Sequence, residues 1–266
     1  MIRQNLHCHT LFDDGKDSPE AMVLAALHKG FSSVGVSLHC PIDGEESWCC
    51  SKSNEQNFID EMHRLRDAYA GHIEVWCGLE YDVDAPRRSV PPYDYIIGSC
   101  HMLDEMPIDY SPEAAEELVA WLRGPDRTAQ MYYERMGVMA DYPEISIAGH
   151  FDLLTKYDEQ APIYRPVTQA YRDAAFAAME KLSAAGKIFE INSGAISRGW
   201  RTTPYPAPEL LRHLRSIGGR ICISSDAHSA AAMDCAYDQC ETLARDCGFT
   251  ELWHFRGDGQ FVPIKL

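Results

Sequence analysis

The chain has no apolar run near the ~20 residues that span a bilayer, no low-complexity tract and no repeat at a fixed period across its 266 residues. Basic residues are scarce, with 24 Lys and Arg against 40 Asp and Glu, and the net charge of −16 repels nucleic-acid phosphates over most of the surface. Neither a nucleic-acid polymer nor a membrane is therefore expected as a partner, whereas a small phosphorylated molecule remains compatible because bound metal can invert the local field. The ten cysteines include no C-x-x-C pair. Cys8, Cys77, Cys100 and Cys222 lie within strand-like runs and read as reduced core thiols. Cys49-Cys50 reads as a loop pair, with a redox or metal role as the lesser alternative. The opening Ile2-Arg3-Gln4-Asn5-Leu6 lacks the apolar stretch of a secretory signal, so the expected location is the cytoplasm. Oligomeric state is not legible.

What the chain does have is enough apolar residue (45%) for a large core and a regular alternation of elements. Seven short apolar runs, near 3–8, 33–38, 73–79, 94–100, 145–149, 187–192 and 220–225, read as strands. Helical patterns separate most of them. Ser18-Pro19-Glu20 and Ser111-Pro112-Glu113 read as helix starts, with a cap, a first-turn proline and an acid. Ser53 is expected to cap a helix through Phe58, Ile59, Met62, Leu65 and Tyr69. Pro166 is expected to open a long helix ending before Gly186, and helices are expected over Pro208 to Ile217 and Ala230 to Cys247. The stretches Asp84 to Pro92 and Thr203 to Pro208 read as loops. The tail Leu252 to Leu266 reads as a last short strand or hairpin. Strand–helix alternation implies parallel strands with right-handed crossovers. Polar residues close nearly every strand, which favours a ring over an open sheet with one or two switch points. The expected fold is a distorted TIM-like (β/α)7 barrel, a single domain over residues 1–266, with its site at the C-terminal strand ends.

Those polar residues are of one kind. His7 and His9 close the first run, His39 the second, Glu80 the third, His101 the fourth, His150 the fifth, and Asp226 with His228 the last; Asp14 stands in the loop after the first. Positions i and i+2 of a strand share a face, so each pair in His7-Cys8-His9 and Asp226-Ala227-His228 can reach one ion. Imidazole and carboxylate are ligands that zinc, iron and manganese accept. Taken singly, each histidine is more readily a core or surface residue. Glu80 alone closes a central strand with a carboxylate, whose two oxygens suit it to bridge. Asp13 is a rival to Asp14.

These elements resemble the PHP (polymerase and histidinol phosphatase) superfamily over nearly the whole length. The matching segments are His7-Cys8-His9-Thr10, Asp14-Gly15, His39, Gly78-Leu79-Glu80, Gly98-Ser99-Cys100-His101, Gly149-His150 and Ser225-Asp226-Ala227-His228. Within it the chain looks most like histidinol-phosphate phosphatases, on Pro107-Ile108-Asp109-Tyr110, Tyr132-Tyr133-Glu134, Gly149-His150-Phe151-Asp152-Leu153 and Glu190-Ile191-Asn192-Ser193-Gly194. The resemblance implies three divalent ions. One would take His7, His9, Glu80 and Asp226, a second Glu80, His101 and His150, and a third Asp14, His39 and His228. The Gly15 match favours Asp14 over Asp13.

The implied activity is phosphomonoester hydrolysis, with histidinol phosphate as substrate, by attack of a metal-bound hydroxide on phosphorus. Glu80, Asp226 and His228 would be the catalytic set. Three divalent ions against three carboxylates and neutral imidazoles leave about three positive charges to attract phosphate. Arg198 is the first choice for gripping it, as a forked donor, with Arg201 and Lys156 next. Asn192 is expected either to orient substrate or to satisfy backbone. The competing readings are a phosphodiesterase or nucleotidase of the same superfamily, a metal-binding module without turnover, and a C–N hydrolase. The last commonly needs a bridging lysine, and no Lys closes a strand.

Overall fold

A computed structural model of the chain describes residues 2–85 and 91–266. Its strands are β1 (Gln4–Asn5), β2 (Ser33–His39), β3 (Glu74–Asp82), β4 (Tyr95–Ser99), β5 (Met102–Leu103), β6 (Met106–Pro107), β7 (Ile147–Ala148), β8 (Ile188–Asn192), β9 (Arg220–Ser224), β10 (Glu251–Phe255) and β11 (Phe261–Lys265). The helices are α1 (Pro19–His28), α2 (Glu55–Ala68), α3 (Pro112–Trp121), α4 (Pro125–Gly137), α5 (Gln169–Ala184), α6 (Gly194–Ser197), α7 (Pro208–Ser216) and α8 (Tyr237–Asp246). Seven strands pair in parallel in the order β1-β2-β3-β4-β7-β8-β9. The ring closes where Cys8 bridges Ala227 in parallel and His9 N–H donates to the Ala227 carbonyl at 2.9 Å. The expected seven-stranded barrel is thus the observed one. No helix among the described residues is long and apolar enough to cross a membrane.

Closure has a side-chain brace. Asn5 donates from Nδ2 to Ser225 Oγ at 2.7 Å and accepts from Ser225 N–H at 3.2 Å. Below the polar strand ends the barrel is apolar. Leu6, Ile97, Ile147, Ile188 and Cys222 meet Tyr95 and Phe255 there, with Trp76, Trp253 and Phe261 packed around them. Tyr95 reaches across the lumen and donates its hydroxyl to the Leu6 carbonyl. It fits only because β2 and β3 carry glycines beside it: a Cβ would fall 2.3 Å from the Tyr95 hydroxyl at Gly35, and 2.2 Å from Tyr95 Cζ at Gly78. The expected tail hairpin is present as antiparallel β10–β11. It plugs the lower end, where Gln4 exchanges two hydrogen bonds with the Phe255 backbone at 2.9 and 2.7 Å.

Ser18 and Ser111 cap α1 and α3 as expected, accepting from Ala21 and Ala114 N–H. Three helix boundaries differ. Ser53 does not cap α2, which starts after Asn54, and its hydroxyl lies 3.2 Å from Ser51 Oγ. The helix expected from Pro166 starts at Gln169, because Thr168 supplies the cap by accepting from Tyr171 N–H. The expected helix from Ala230 is broken. A short 3-10 turn at Ala230–Ala232 precedes Ala236, whose φ of 53° lies in the left-handed region, so α8 begins only at Tyr237. The Asp84–Pro92 loop assignment falls largely outside the described residues. The β5–β6 hairpin was not anticipated, its strands being too short to pattern.

Filling the glycine notch under Tyr95 should be costly. Gly78→Ala is expected to destabilise the fold by about 1–3 kcal/mol through overpacking, read as a lower midpoint in urea unfolding; an unchanged midpoint would mean that Tyr95 repacks freely.

Candidate metal centre

The closing bridge registers the two triplets against each other. Cys8 and Ala227 are the middle residues of His7-Cys8-His9 and Asp226-Ala227-His228, so the outer residues of both turn into the lumen together. His7 Nε2 lies 3.8 Å from Asp226 Oδ1, and the His9 and His228 rings are 4.5 Å apart. Asp226 takes a left-handed backbone with φ of 49°, which Asp tolerates better than most residues. The turn after β8 must come close: a Cβ at Gly194 would sit 2.5 Å from Asp226 Oδ2.

Glu80, at 1% exposure, stands in the middle. Its Oε2 faces His7 Nε2 at 3.1 Å, His9 Nε2 at 3.3 Å and His39 Nδ1 at 3.1 Å. Its Oε1 faces His150 Nε2 at 2.9 Å and His101 Nε2 at 3.5 Å, and accepts from the Ser99 hydroxyl. Asp14 lies 3.7 Å from His39 Nε2 and 3.3 Å from His228 Nε2. The structure therefore gathers all nine expected residues. Four overlapping groups have ligand atoms within 4.8 Å of one another: His9, Asp14, His39 and His228; His7, Glu80 and His150; His7, His9 and Asp226; and His39, Glu80 and His101.

Tautomers decide what this cluster can hold. His7 Nδ1 meets Glu190 Oε1 at 2.8 Å, His9 Nδ1 meets Asp13 Oδ2 at 2.8 Å, and His101 Nδ1 meets Asp82 Oδ2 at 3.0 Å. A carboxylate accepts, so each Nδ1 carries the proton and each Nε2 turns a lone pair inward. His7 Nε2, His9 Nε2 and Glu80 Oε2 are buried without a hydrogen-bond partner. Lone pairs facing one another at about 3 Å repel unless a cation or proton lies among them. The field demands positive charge. Against the cost of burial, Asp13 and Glu80 raise His9 to about 10, and Glu80 and Asp82 raise His101 to about 9. His39 goes the other way, to about 4, through burial and the neighbouring His9 charge. Burial works against ionised Glu80, yet His7, His39 and His101 hold it well below the usual carboxylate range. The donor set fits divalent ions, which would displace these protons.

Sequence reasoning gave Glu190 and Asp82 no role and weighed Asp13 only as a rival to Asp14. Glu190 also accepts from His150 N–H at 3.0 Å and from Asn192 Nδ2 at 2.8 Å. Asp13 accepts from Thr10 and His39 N–H at 2.8 and 3.0 Å. The rivalry between adjacent acids resolves into two tasks: Asp13 orients His9, and Asp14 joins the inward group. The signal was available in spacing. Glu190 and Asp82 are acids within or at the end of apolar strands, and Asp82 lies two residues after Glu80 on the same strand.

The expected substrate-gripping residues separate. Arg198 donates from Nη2 to Asp226 Oδ2 at 2.8 Å and lies with Nη1 2.9 Å from His228 Nδ1. His228 Nδ1 is also 3.0 Å from the Asp226 carbonyl. The first contact needs a lone pair on Nδ1 and the second a proton, so the two are alternatives. Lys156 donates to the carbonyl and carboxylate of Asp109, both at 2.8 Å. All three guanidinium nitrogens of Arg201 bond to Thr155 or Thr203. Asn192 donates to Glu190 and accepts from Gly194 N–H at 2.8 Å in full burial. The polar groups of Arg201 and Asn192 are thus occupied within the protein. Cys49 and Cys50 are buried free thiols; burial pushes Cys50 to about 12 and Cys49 higher still, which leaves little thiolate for metal or redox chemistry.

Comparison with known proteins converges on this arrangement. A family model described as PHP domain matches residues 5–194. The chain is 25% identical over 252 residues to a protein of Schizosaccharomyces pombe named "Probable histidinol-phosphatase", covering 88% of this chain and 82% of that one. It is 26% identical over 257 residues to a Deinococcus radiodurans protein of the same name, covering 91% and 92%. Among solved structures, histidinol phosphate phosphatase from Lactococcus lactis, complexed with zinc, L-histidinol and phosphate, superposes with a TM-score of 0.76 at 19% identity over 98% of both chains. At that identity the likeness shows the fold.

If Glu190 orients His7, Glu190→Gln should weaken retention of a bound divalent ion about 10–100-fold without unfolding the chain. Metal content after dialysis against graded chelator measures this; wild-type retention would remove Glu190 from that role.

Proposed function

Because the chain belongs to the PHP domain family, we propose that it is a metal-dependent phosphomonoesterase that hydrolyses histidinol phosphate to histidinol and phosphate. The observation that carries the reading is the clustering of nine His, Asp and Glu side chains around Glu80, with His7 Nε2, His9 Nε2 and Glu80 Oε2 at its centre buried without a hydrogen-bond partner. The substrate comes from the relatives, named for histidinol phosphate at about a quarter identity over most of both chains. The domain is taken as 1–266, since β9 leads into Asp226 and His228 and the final hairpin closes the barrel floor. A small metabolite as substrate suits a cytoplasmic enzyme.

His7, His9, Glu80 and Asp226 would hold one ion, Glu80, His101 and His150 a second, and Asp14, His39 and His228 a third; zinc is favoured by the Lactococcus relative, and iron or manganese suit the same donors. Bound there, such ions supply Lewis-acid stabilisation of phosphoryl charge and a water acidic enough to ionise near neutral pH. The protein's own part is preorganisation. Glu190, Asp13 and Asp82 fix three imidazoles so that no ring must turn when charge develops. Glu80 serves both halves of the cluster, one oxygen each. Were a cation held at His228 Nε2, Nδ1 would carry the proton and donate to the Asp226 carbonyl, which would leave Arg198 Nη1 free for phosphate oxygens. Lys156, neutralised by Asp109, keeps a lesser claim.

The test is a panel of phosphoesters, including histidinol phosphate, nucleotides and a diester, assayed on protein stripped by chelator and reloaded with each metal. The expected result is metal-dependent phosphate release that is fastest from histidinol phosphate. Preference for a diester or a nucleotide would replace the substrate, and full activity after verified stripping would end the metal reading. Arg198→Ala should raise KM for phosphomonoesters by about 10–100-fold, the scale of a lost charge-assisted bond. Arg198→Lys should recover little of this, since a point charge does not replace the fork; an unchanged KM in both moves phosphate recognition elsewhere.

A further inference from the structure

The cup described above is walled almost wholly by histidine. Among the described residues, Trp48 is the only other aromatic ring in contact with the candidate ligand histidines. Its centroid lies 5.1 Å from the His39 ring and 5.6 Å from the His101 ring, at steep angles of 80° and 61°. Trp48 sits on the connection from β2 to α2 and is half-buried rather than sealed in the core. Its loop is held firmly. Cys49 and Cys50 beneath it are buried, at 3% and 1% exposure. Trp48 and Cys49 N–H both bond to the Glu45 carbonyl, at 3.1 and 2.9 Å. The indole N–H donates to Glu45 Oε2 at 2.7 Å, which fixes the ring and sets a carboxylate at its edge.

We propose that Trp48 and Glu45 form the wall that receives the non-phosphate half of the substrate, and that they select a leaving alcohol bearing a protonated amine or an imidazole ring. This rests on the phosphomonoesterase reading and extends it to specificity. The chemistry follows from the pair. An indole beside a carboxylate offers a π surface and a negative edge together, and both favour a cationic nitrogen group over a neutral one. Position adds to this. Metal-ligating atoms that grip phosphate would leave the ester's alcohol pointing outward, past His39 and His101, where Trp48 stands. Two other charged groups at this end have protein partners: Asp109 is paired with Lys156, and Arg201 with Thr155 and Thr203. Trp48 is a specificity residue here, since no reacting atom lies on it.

The experiment compares Trp48→Ala, Trp48→Phe and Glu45→Gln with wild type on two esters, histidinol phosphate and propyl phosphate, with metal content measured on each sample. The readout is the ratio of kcat/KM for the amine-bearing ester to that for the neutral one. Trp48→Ala is expected to lower this ratio roughly 3- to 30-fold, Glu45→Gln to lower it less, and Trp48→Phe to restore most of it, all with wild-type metal content. An equal fall on both esters, or loss of metal, would make Trp48 mere packing for His39 and His101 and overturn the proposal. An unchanged ratio overturns it as well. The substrate reading is judged separately, by which ester the wild type prefers. Should the wild type cleave neither, calorimetric titration of L-histidinol in the presence of inorganic phosphate decides the wall: weaker binding to Trp48→Ala supports it, and equal binding refutes it.

Discussion

A single parallel bridge between Cys8 and Ala227 sets the chemistry of this protein, because it fixes the register at which the first and last barrel strands meet. Side chains alternate along a strand, so a slip of one residue would turn His7, His9, Asp226 and His228 outward together. The cup would lose four of its nine candidate ligands. The seam is correspondingly braced, by the Asn5–Ser225 pair above the floor and by the His9 N–H bond to Ala227. Catalytic and architectural demands fall on the same few residues. The triplets that close the barrel are the triplets that would face bound ions.

Electrostatics in the cup differs from what ligand counting suggests. Three ions against Asp14, Glu80 and Asp226 leave a surplus of about three positive charges. Glu190, Asp13 and Asp82 lie one imidazole further out and return about as many negative ones. Attraction for phosphate then depends on placement, not on net charge. Ions held there would meet the substrate on the inner side, while the compensating carboxylates sit behind the rings. Among the described residues, Arg198 is the one Lys or Arg joined directly to this set, through Asp226 and His228. A strongly acidic protein can thus present a cationic face to a small anion.

Legibility from sequence followed periodicity and chain position. Strand ends were readable because all but one of the apolar runs stop at a His, Glu or Asp, so the barrel and the nine converging residues could be inferred without coordinates. Orienting carboxylates were harder. Glu190 lies inside its strand, where an acid looks like a pattern error until His7 is known to face it across the lumen. Arg201 and Asn192 seemed free to bind substrate because a loop cation and a strand-end amide carry no sign of their partners; Thr155 and Glu190 are 46 and 2 residues away, and only folding shows which distance matters. Helix edges failed for a local reason at Ala236, where alanine, a strong helix former, takes a left-handed turn imposed by its surroundings. Trp48 was invisible to ligand-based reading, since it contributes contact surface and no donor atom to an ion.

The hydrophobic floor has its own consequence. Tyr95, Phe255 and the terminal hairpin stopper the barrel beneath Glu80, so the cup opens toward the strand ends. On the proposed function, a substrate entering phosphate-first would place its alcohol outermost. That alcohol would then depart before phosphate could, and turnover would become a queue whose order is dictated by the shape of the vessel.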